Sequence, residues 1–170
     1  MSEQARGRNA GHGPGGCHHI HEHDAGLCEG TRVMTLEGNL PVEYLAPGDR
    51  IVTRQGARIL RRIQVQPLQD GPVVVRRGAL GPGLPAAELR LAPAQAVHLR
   101  GWRGRRLYGS DLSCVPVARL IDGESICRSE QPEQPNAYRL ELDEPAVIYA
   151  EGVEVMSAAL PVRAVHIAAE

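Results

Sequence analysis

An all-β domain is what this sequence predicts, on three observations. Short runs of β-branched and aliphatic residues recur at intervals of roughly ten residues, separated by Gly, Pro and Asp. No window of roughly twelve residues carries a convincing helical period. The 170 residues include no Phe, one Trp and four Tyr, so Val, Leu, Ile and Ala must fill the core, and these pack well on pleated sheets. The length suits one domain with a disordered end.

Residues 1 to 24 read as a flexible arm, because Gly, His, Asn and Arg dominate and Ile20 is the only large apolar side chain after Met1. Such a segment buries too little surface to offset its chain entropy. From Thr31 the pattern changes. Arg32 to Thr35 reads as a strand, with Glu37-Gly38-Asn39 as its turn. Pro47-Gly48-Asp49 turns into a second strand, Arg50 to Thr53, and Gln55-Gly56 turns again. Arg58 to Gln66 alternates as one longer strand, and Val73-Val74-Val75 is a short buried run. Gly78 to Pro85 holds three Gly and two Pro and is expected to be a loop. Leu89 to Leu91 and Val97 to Leu99 are short strands around a Pro-containing bend. Cys114 to Val117, Tyr138 to Leu142, Val147 to Tyr149 and Val153 to Val155 complete the set, the last after a Glu151-Gly152 turn. Ala118 to Ile121 is expected to make a single helical turn. The domain is expected to run over 25–157, and 158–170 is a small apolar tail whose docking the sequence leaves open.

The net charge of −1 supplies no general field for nucleic acid or an anionic membrane. No apolar run approaches the roughly 18 residues of a membrane span, and Met1 to Gly16 lacks the apolar stretch of a secretory signal. A cytoplasmic location is therefore expected, with Cys17, Cys28, Cys114 and Cys127 as thiols or ligands and not a disulfide framework. Gly-X-Ser-X-Gly, a phosphate-cradling glycine loop and Gly-X-Gly-X-X-Gly are all missing. Asp111, Asp122 and Asp143 lie near turns, where Asp is common for backbone reasons.

The ordered series Gly30-Thr31, Val42-Glu43-Tyr44-Leu45 and Pro47-Gly48-Asp49, with its spacing, resembles the start of the hedgehog/intein (Hint) domain, in the form common as a bacterial stand-alone protein. Arg76-Arg77-Gly78-Ala79-Leu80 and Val115 to Gly123 are similar to its middle; Leu140-Glu141-Leu142-Asp143 and Val147 to Gly152 are similar to its end. The likeness spans about Leu27 to Val155 and implies a Hint-type compact fold of many short strands.

The resemblance also implies a chemistry. A Cys or Ser at the first residue attacks the preceding carbonyl, and a His in a Thr/Ser-X-X-His motif polarises the scissile amide and supplies a proton. At the nucleophile position, four residues before Gly30, this chain has Gly26. At the second motif it has Ala92-Pro93-Ala94-Gln95, so the hydroxyl is Ala and the His is Gln95, which donates hydrogen bonds but transfers no proton near neutral pH. A later family His, after Leu-Asp, is Pro145 here, and no His-Asn or Cys pair closes the C-terminus, so intein splicing is not expected. The residual candidates for self-cleavage are Cys28 as a displaced nucleophile and His98, three residues beyond Gln95, as a displaced base. Two residues of extended chain would carry the Cys28 sulfur roughly 6–7 Å from the expected position, against a near-attack separation of roughly 3–3.5 Å. The plainer expectation is a buried Cys28 and a strand residue at His98, with no catalytic residue.

Two further segments are candidates for binding. Cys17-His18-His19-Ile20-His21-Glu22-His23-Asp24 concentrates ligand types, making Cys17, His18, His19, His21 and His23 candidate Zn²⁺ ligands. The spacing matches no standard zinc finger, so no cofactor is required and incidental affinity is the alternative. Arg100 to Tyr108 is a cationic loop in which Trp102, Arg103, Arg105, Arg106 and Tyr108 are candidate contacts. It is expected to be an exposed hairpin, and as a binding surface it suits a protein partner ahead of nucleic acid, since Trp, Tyr and Arg are the usual interface anchors. The expected function is a cleavage-silent Hint-type binding or structural module, with cysteine-dependent autoprocessing at Cys28 and metal binding by the arm as alternatives.

Overall fold

The computed structural model describes residues 25–101, 104–106, 109, 112–130 and 134–160. The strands are β1 (Leu27–Cys28), β2 (Arg32–Thr35), β3 (Gly38–Pro41), β4 (Arg50–Thr53), β5 (Gly56–Ile59), β6 (Arg62–Pro67), β7 (Val73–Val75), β8 (Leu89–Leu91), β9 (Ala96–Arg100), β10 (Leu112–Pro116), β11 (Ile126–Arg128), β12 (Asn136–Leu142), β13 (Val147–Ala150), β14 (Val153–Met156) and β15 (Ala158–Ala159). They form two sheets. The first runs β11-β7-β8-β1-β12-β15, with β6 also on β12; the second runs β10-β9-β14-β13-β2-β4-β5, with β3 on β2. All pairings are antiparallel except β12 with β15.

Alternation decides which side chains enter the core. In β2 and β4, Val33, Thr35, Ile51 and Thr53 face in. In β9 and β14, Val97, Leu99, Val153 and Val155 face in while His98 and Glu154 point the other way. Buried side chains of both sheets, from Leu27, Leu89 and Leu142 to Val33, Ile51, Val97 and Ile148, join in one apolar cluster.

Two hairpins use the same closure. The hydroxyl of Thr35 accepts from the Glu37 N–H (3.1 Å) and donates to the Gly38 carbonyl (2.8 Å); that of Thr53 accepts from the Gln55 N–H (3.2 Å) and donates to the Gly56 carbonyl (2.6 Å). The β13–β14 turn, Glu151-Gly152, has φ of 48° and 81° at its two positions, the conformation that matches strand twist in a two-residue hairpin.

Several sequence expectations need correction. Gly38 and Asn39 are not turn residues but open β3, paired with β2. Arg58 to Gln66 is not one strand. The chain crosses from the second sheet to the first at Leu60, which is fully buried, while the Leu60 N–H donates to the Asp49 carbonyl (2.8 Å) and the Arg61 N–H to the Glu141 carbonyl (2.9 Å). The burial of one side chain at the crossing outweighs continuation of the ladder. Short 3₁₀ turns occupy Val42–Tyr44, where the sequence suggested none, and Val117–Leu120, one residue before the expected turn. β11 was not foreseen. The start of the apolar tail docks, since Ala158 and Ala159 pair with Glu141 and Leu142 and the Leu160 N–H donates to the Leu142 carbonyl (2.9 Å).

Candidate functional site

The positions that the Hint resemblance assigns to cleavage lie side by side. β1 sits between β8 and β12, with Leu27 opposite both Leu91 and Tyr138. One residue beyond β8, the Ala92 N–H donates to the Gly26 carbonyl (3.0 Å). Gly26 is buried. A Cβ on it would lie 3.0 Å from the Ala137 Cβ, 3.1 Å from the Tyr138 carbonyl oxygen and 3.2 Å from the Tyr138 nitrogen. β12 is therefore packed against bare backbone, leaving no room for even a methyl group without movement.

Gln95 is buried and its donors are engaged. Its side-chain amide donates to the carbonyls of Ala96 (3.1 Å) and Met156 (2.9 Å). Its backbone N–H closes a turn on the Ala92 carbonyl (2.9 Å), and its own carbonyl accepts from the Val117 N–H (2.9 Å). A carboxamide in this place ties the bend before β9 to β14.

Cys28 packs with Leu68, Ala92 and Ala137. Burial pushes its thiol up to about 12; Arg90 pulls the other way and Glu29 adds to the rise. Such a sulfur is a thiol, not a nucleophilic thiolate, at neutral pH. His98 lies in β9 of the other sheet, and both ring nitrogens are buried without a hydrogen-bond partner. The two displaced candidates are thus not brought together. Burial holds the His98 pKa below its ordinary value, and the Arg54 charge lowers it further; Glu154 opposes and Arg100 adds a smaller depression.

Of the cationic loop, Arg105 and Arg106 are exposed in a helical turn over residues 104–106, whose ends are tied by Arg105 N–H to Gly101 carbonyl (3.1 Å) and Gly109 N–H to Arg105 carbonyl (3.0 Å). Trp102, Arg103 and Tyr108 lie outside the described residues, as do Asp111 and the arm candidates Cys17, His18, His19, His21 and His23. Among the described residues no three His, Cys, Asp or Glu are grouped to hold a metal ion, and Cys28, Cys114 and Cys127 are in no disulfide. No helix among them is long and apolar enough to cross a membrane. Asp122 closes a local turn, its Oδ1 accepting from the N–H groups of Glu124, Ser125 and Ile126 at 2.8 Å each; these bonds, the Ile126 one first, hold its carboxyl below the usual range. Asp143 is held by both arms of Arg61 at 2.9 Å.

The sequence reading missed one cluster. Glu154 is held by Arg54 and by Arg100, the latter through Nε (2.8 Å) and Nη2 (2.5 Å). Burial pushes the Glu154 carboxyl up, but the two arginines outweigh it and hold it below the ordinary range. Alternation put Glu154 and His98 on outer faces; only the register, Val155 opposite Val97, sets them side by side.

The Hint domain family model matches residues 25–160, most of the chain. The chain belongs to the Hint domain family. Solved structures agree on the fold of this Hint domain. A bacterial intein-like domain from Clostridium thermocellum, at 11% identity, superposes with a TM-score of 0.55 over 78% of this chain and 97% of its own. A splice-inactive variant of the AceL NrdHF class 3 split intein, at 14% identity, gives 0.54 over 80% and 99%. The gp41-1 intein, at 10% identity, gives 0.50 over 79% and 98%. At these identities the likeness is one of fold. No curated protein matches the Hint chain.

Proposed function

We propose that this Hint domain has lost self-cleavage and serves as a binding or structural module, with a protein as its partner and a reducing, cytoplasmic setting. The observation that carries the reading is Gly26. The residue that the family's chemistry makes a nucleophile has no side chain here, and a Cβ would press on Ala137 and the Tyr138 backbone at 3.0–3.2 Å. Two more features support it. The Gln95 amide is committed to the Ala96 and Met156 carbonyls. Burial pushes the thiol of Cys28, two residues on from Gly26, up to about 12, so it stays protonated near neutral pH. An acyl shift needs a nucleophile and an acid/base partner within reach of one peptide, and neither Gly26 nor Gln95 supplies one.

Intact-mass spectrometry of the purified chain, incubated with and without hydroxylamine, tests the reading. The full-length mass is expected to persist. A fragment beginning at Cys28, absent from Cys28→Ala, would establish cysteine-dependent autoprocessing instead.

A further inference from the structure

A cavity of about 270 Å³ opens on the outer face of the second sheet. His98, Tyr149 and Glu154 line its floor, and Leu80, Leu84 and Gly152 form its wall among the described residues. The floor follows from register. His98 lies opposite Cys114, Tyr149 lies opposite Glu154, and Val97 opposite Val155 brings His98 beside Glu154. The wall is the loop that ends at Pro85. It is fastened by the Leu80 N–H on the Leu84 carbonyl (2.9 Å), by the Gly78 N–H on the Pro85 carbonyl (3.1 Å), and by the Ala86 N–H on the Glu151 carbonyl (3.0 Å). A Cβ on Gly152 would lie 3.2 Å from Leu84 Cδ2, so the loop packs closely on the β13–β14 turn.

The cavity contains an imbalance of polar groups. Both His98 ring nitrogens are buried and make no hydrogen bond. A buried polar group without a partner costs about 1–3 kcal/mol, so its retention calls for an explanation. Two arginines, Arg54 and Arg100, converge on the single carboxylate of Glu154, which leaves a local excess of one positive charge. Arg100 spends Nε and Nη2 on Glu154, and its side chain is 62% exposed at the cavity. The opposite wall is aliphatic. The volume falls just below the ~300 Å³ at which drug-sized pockets begin.

From this arrangement the structure assigns a binding site for a small monocarboxylate with a branched apolar body. The carboxylate accepts from the exposed Arg100 guanidinium and, once the imidazole turns out of its buried pose, from the His98 N–H, and the body lies against Leu80 and Leu84. That chemistry is supplied either by a free short-chain acid or by the C-terminal residue of a peptide. The inference rests on the binding half of the function proposed above. It lies apart from Gly26, so intact mass tests the silence of the cleavage position and a titration tests this cavity.

The experiment is a two-dimensional NMR titration of the full chain, followed at the His98 imidazole. The probes are isovalerate, the peptide acetyl-Gly-Gly-Leu with a free carboxylate, and the same peptide as its C-terminal amide. Saturable shifts with at least one carboxylate are expected, with the amide about tenfold weaker or worse. Binding of isovalerate alone identifies a free acid, and binding of the peptide acid alone a chain terminus. Arg100→Gln, a change at an exposed side chain, is expected to weaken the bound acid about tenfold while leaving the backbone spectrum native-like. The assignment is overturned if neither acid saturates by about 10 mM, if amide and acid bind alike, or if folded Arg100→Gln binds as the parent does.

Discussion

The Ala92 N–H donates to the Gly26 carbonyl at 3.0 Å, so the two places where a Hint domain would keep its hydroxyl and its nucleophile are joined by a single backbone hydrogen bond. Neither has a side chain that reacts. The bond needs β1 beside β8 in this register, with Leu27 opposite Leu91.

The close approach of β12 makes Gly26 a steric requirement. Gly26→Ala is expected to lower stability by about 1–3 kcal/mol, the range for forcing a methyl group into a packed interior. Gly26→Cys is expected to cost at least as much and to leave the chain uncleaved, even combined with Gln95→His. Urea unfolding measures the first and mass spectrometry the second. Cleavage by the double variant would show that the nucleophile and the imidazole are all that this site lacks.

Gln95 is expected to act as a staple. Gln95→Ala removes donors to the Ala96 and Met156 carbonyls and is expected to cost about 1–3 kcal/mol. Amide hydrogen exchange is expected to quicken in β9 and β14 before other strands. A variant as stable as the parent would show that water replaces the amide without loss.

Cys28 is expected to resist alkylation. With its thiol raised from 9.0 to about 12, the folded chain holds the proton that the unfolded chain releases above pH 9.0. The resulting stability is full below that pH and is lost as pH rises towards 12. In iodoacetamide labelling of the native chain near neutral pH, peptide mapping should find modification at Cys114 and Cys127, both less buried, well ahead of Cys28. Fast labelling at Cys28 would mean that the cluster with Leu68 and Ala137 opens readily.

Acid is expected to weaken the fold through His98. Its folded pKa lies below 6.5 because of burial and the charge of Arg54, with Glu154 opposing and Arg100 adding; Cys114 and Tyr149 also flank it. As pH falls through 6.5 the unfolded chain takes up the proton first, so the contribution is present above that value and declines below it. The drop in urea midpoint between about pH 7.5 and pH 5.5 should shrink in His98→Gln. An unchanged drop would assign the acid sensitivity to other groups.

Much of the fold was legible residue by residue. Val33, Thr35, Ile51 and Thr53 announce inward faces by alternation, and Thr35 to Gly38 and Thr53 to Gly56 carry their own hairpin chemistry in the Thr hydroxyl and the glycine. The missing side chain at Gly26 and the amide at Gln95 were also plain, because residue identity at a motif position is local information. What the sequence by itself determined was therefore strands, turns and family membership. Tertiary structure alone decided that the chain changes sheets at Leu60, that β12 presses on Gly26, and that Arg54, Arg100, Glu154 and His98 meet around one cavity. The reason is register. A period of two tells which face a side chain takes, but which strand lies beside it, and in what alignment, is set by contacts far apart in the chain.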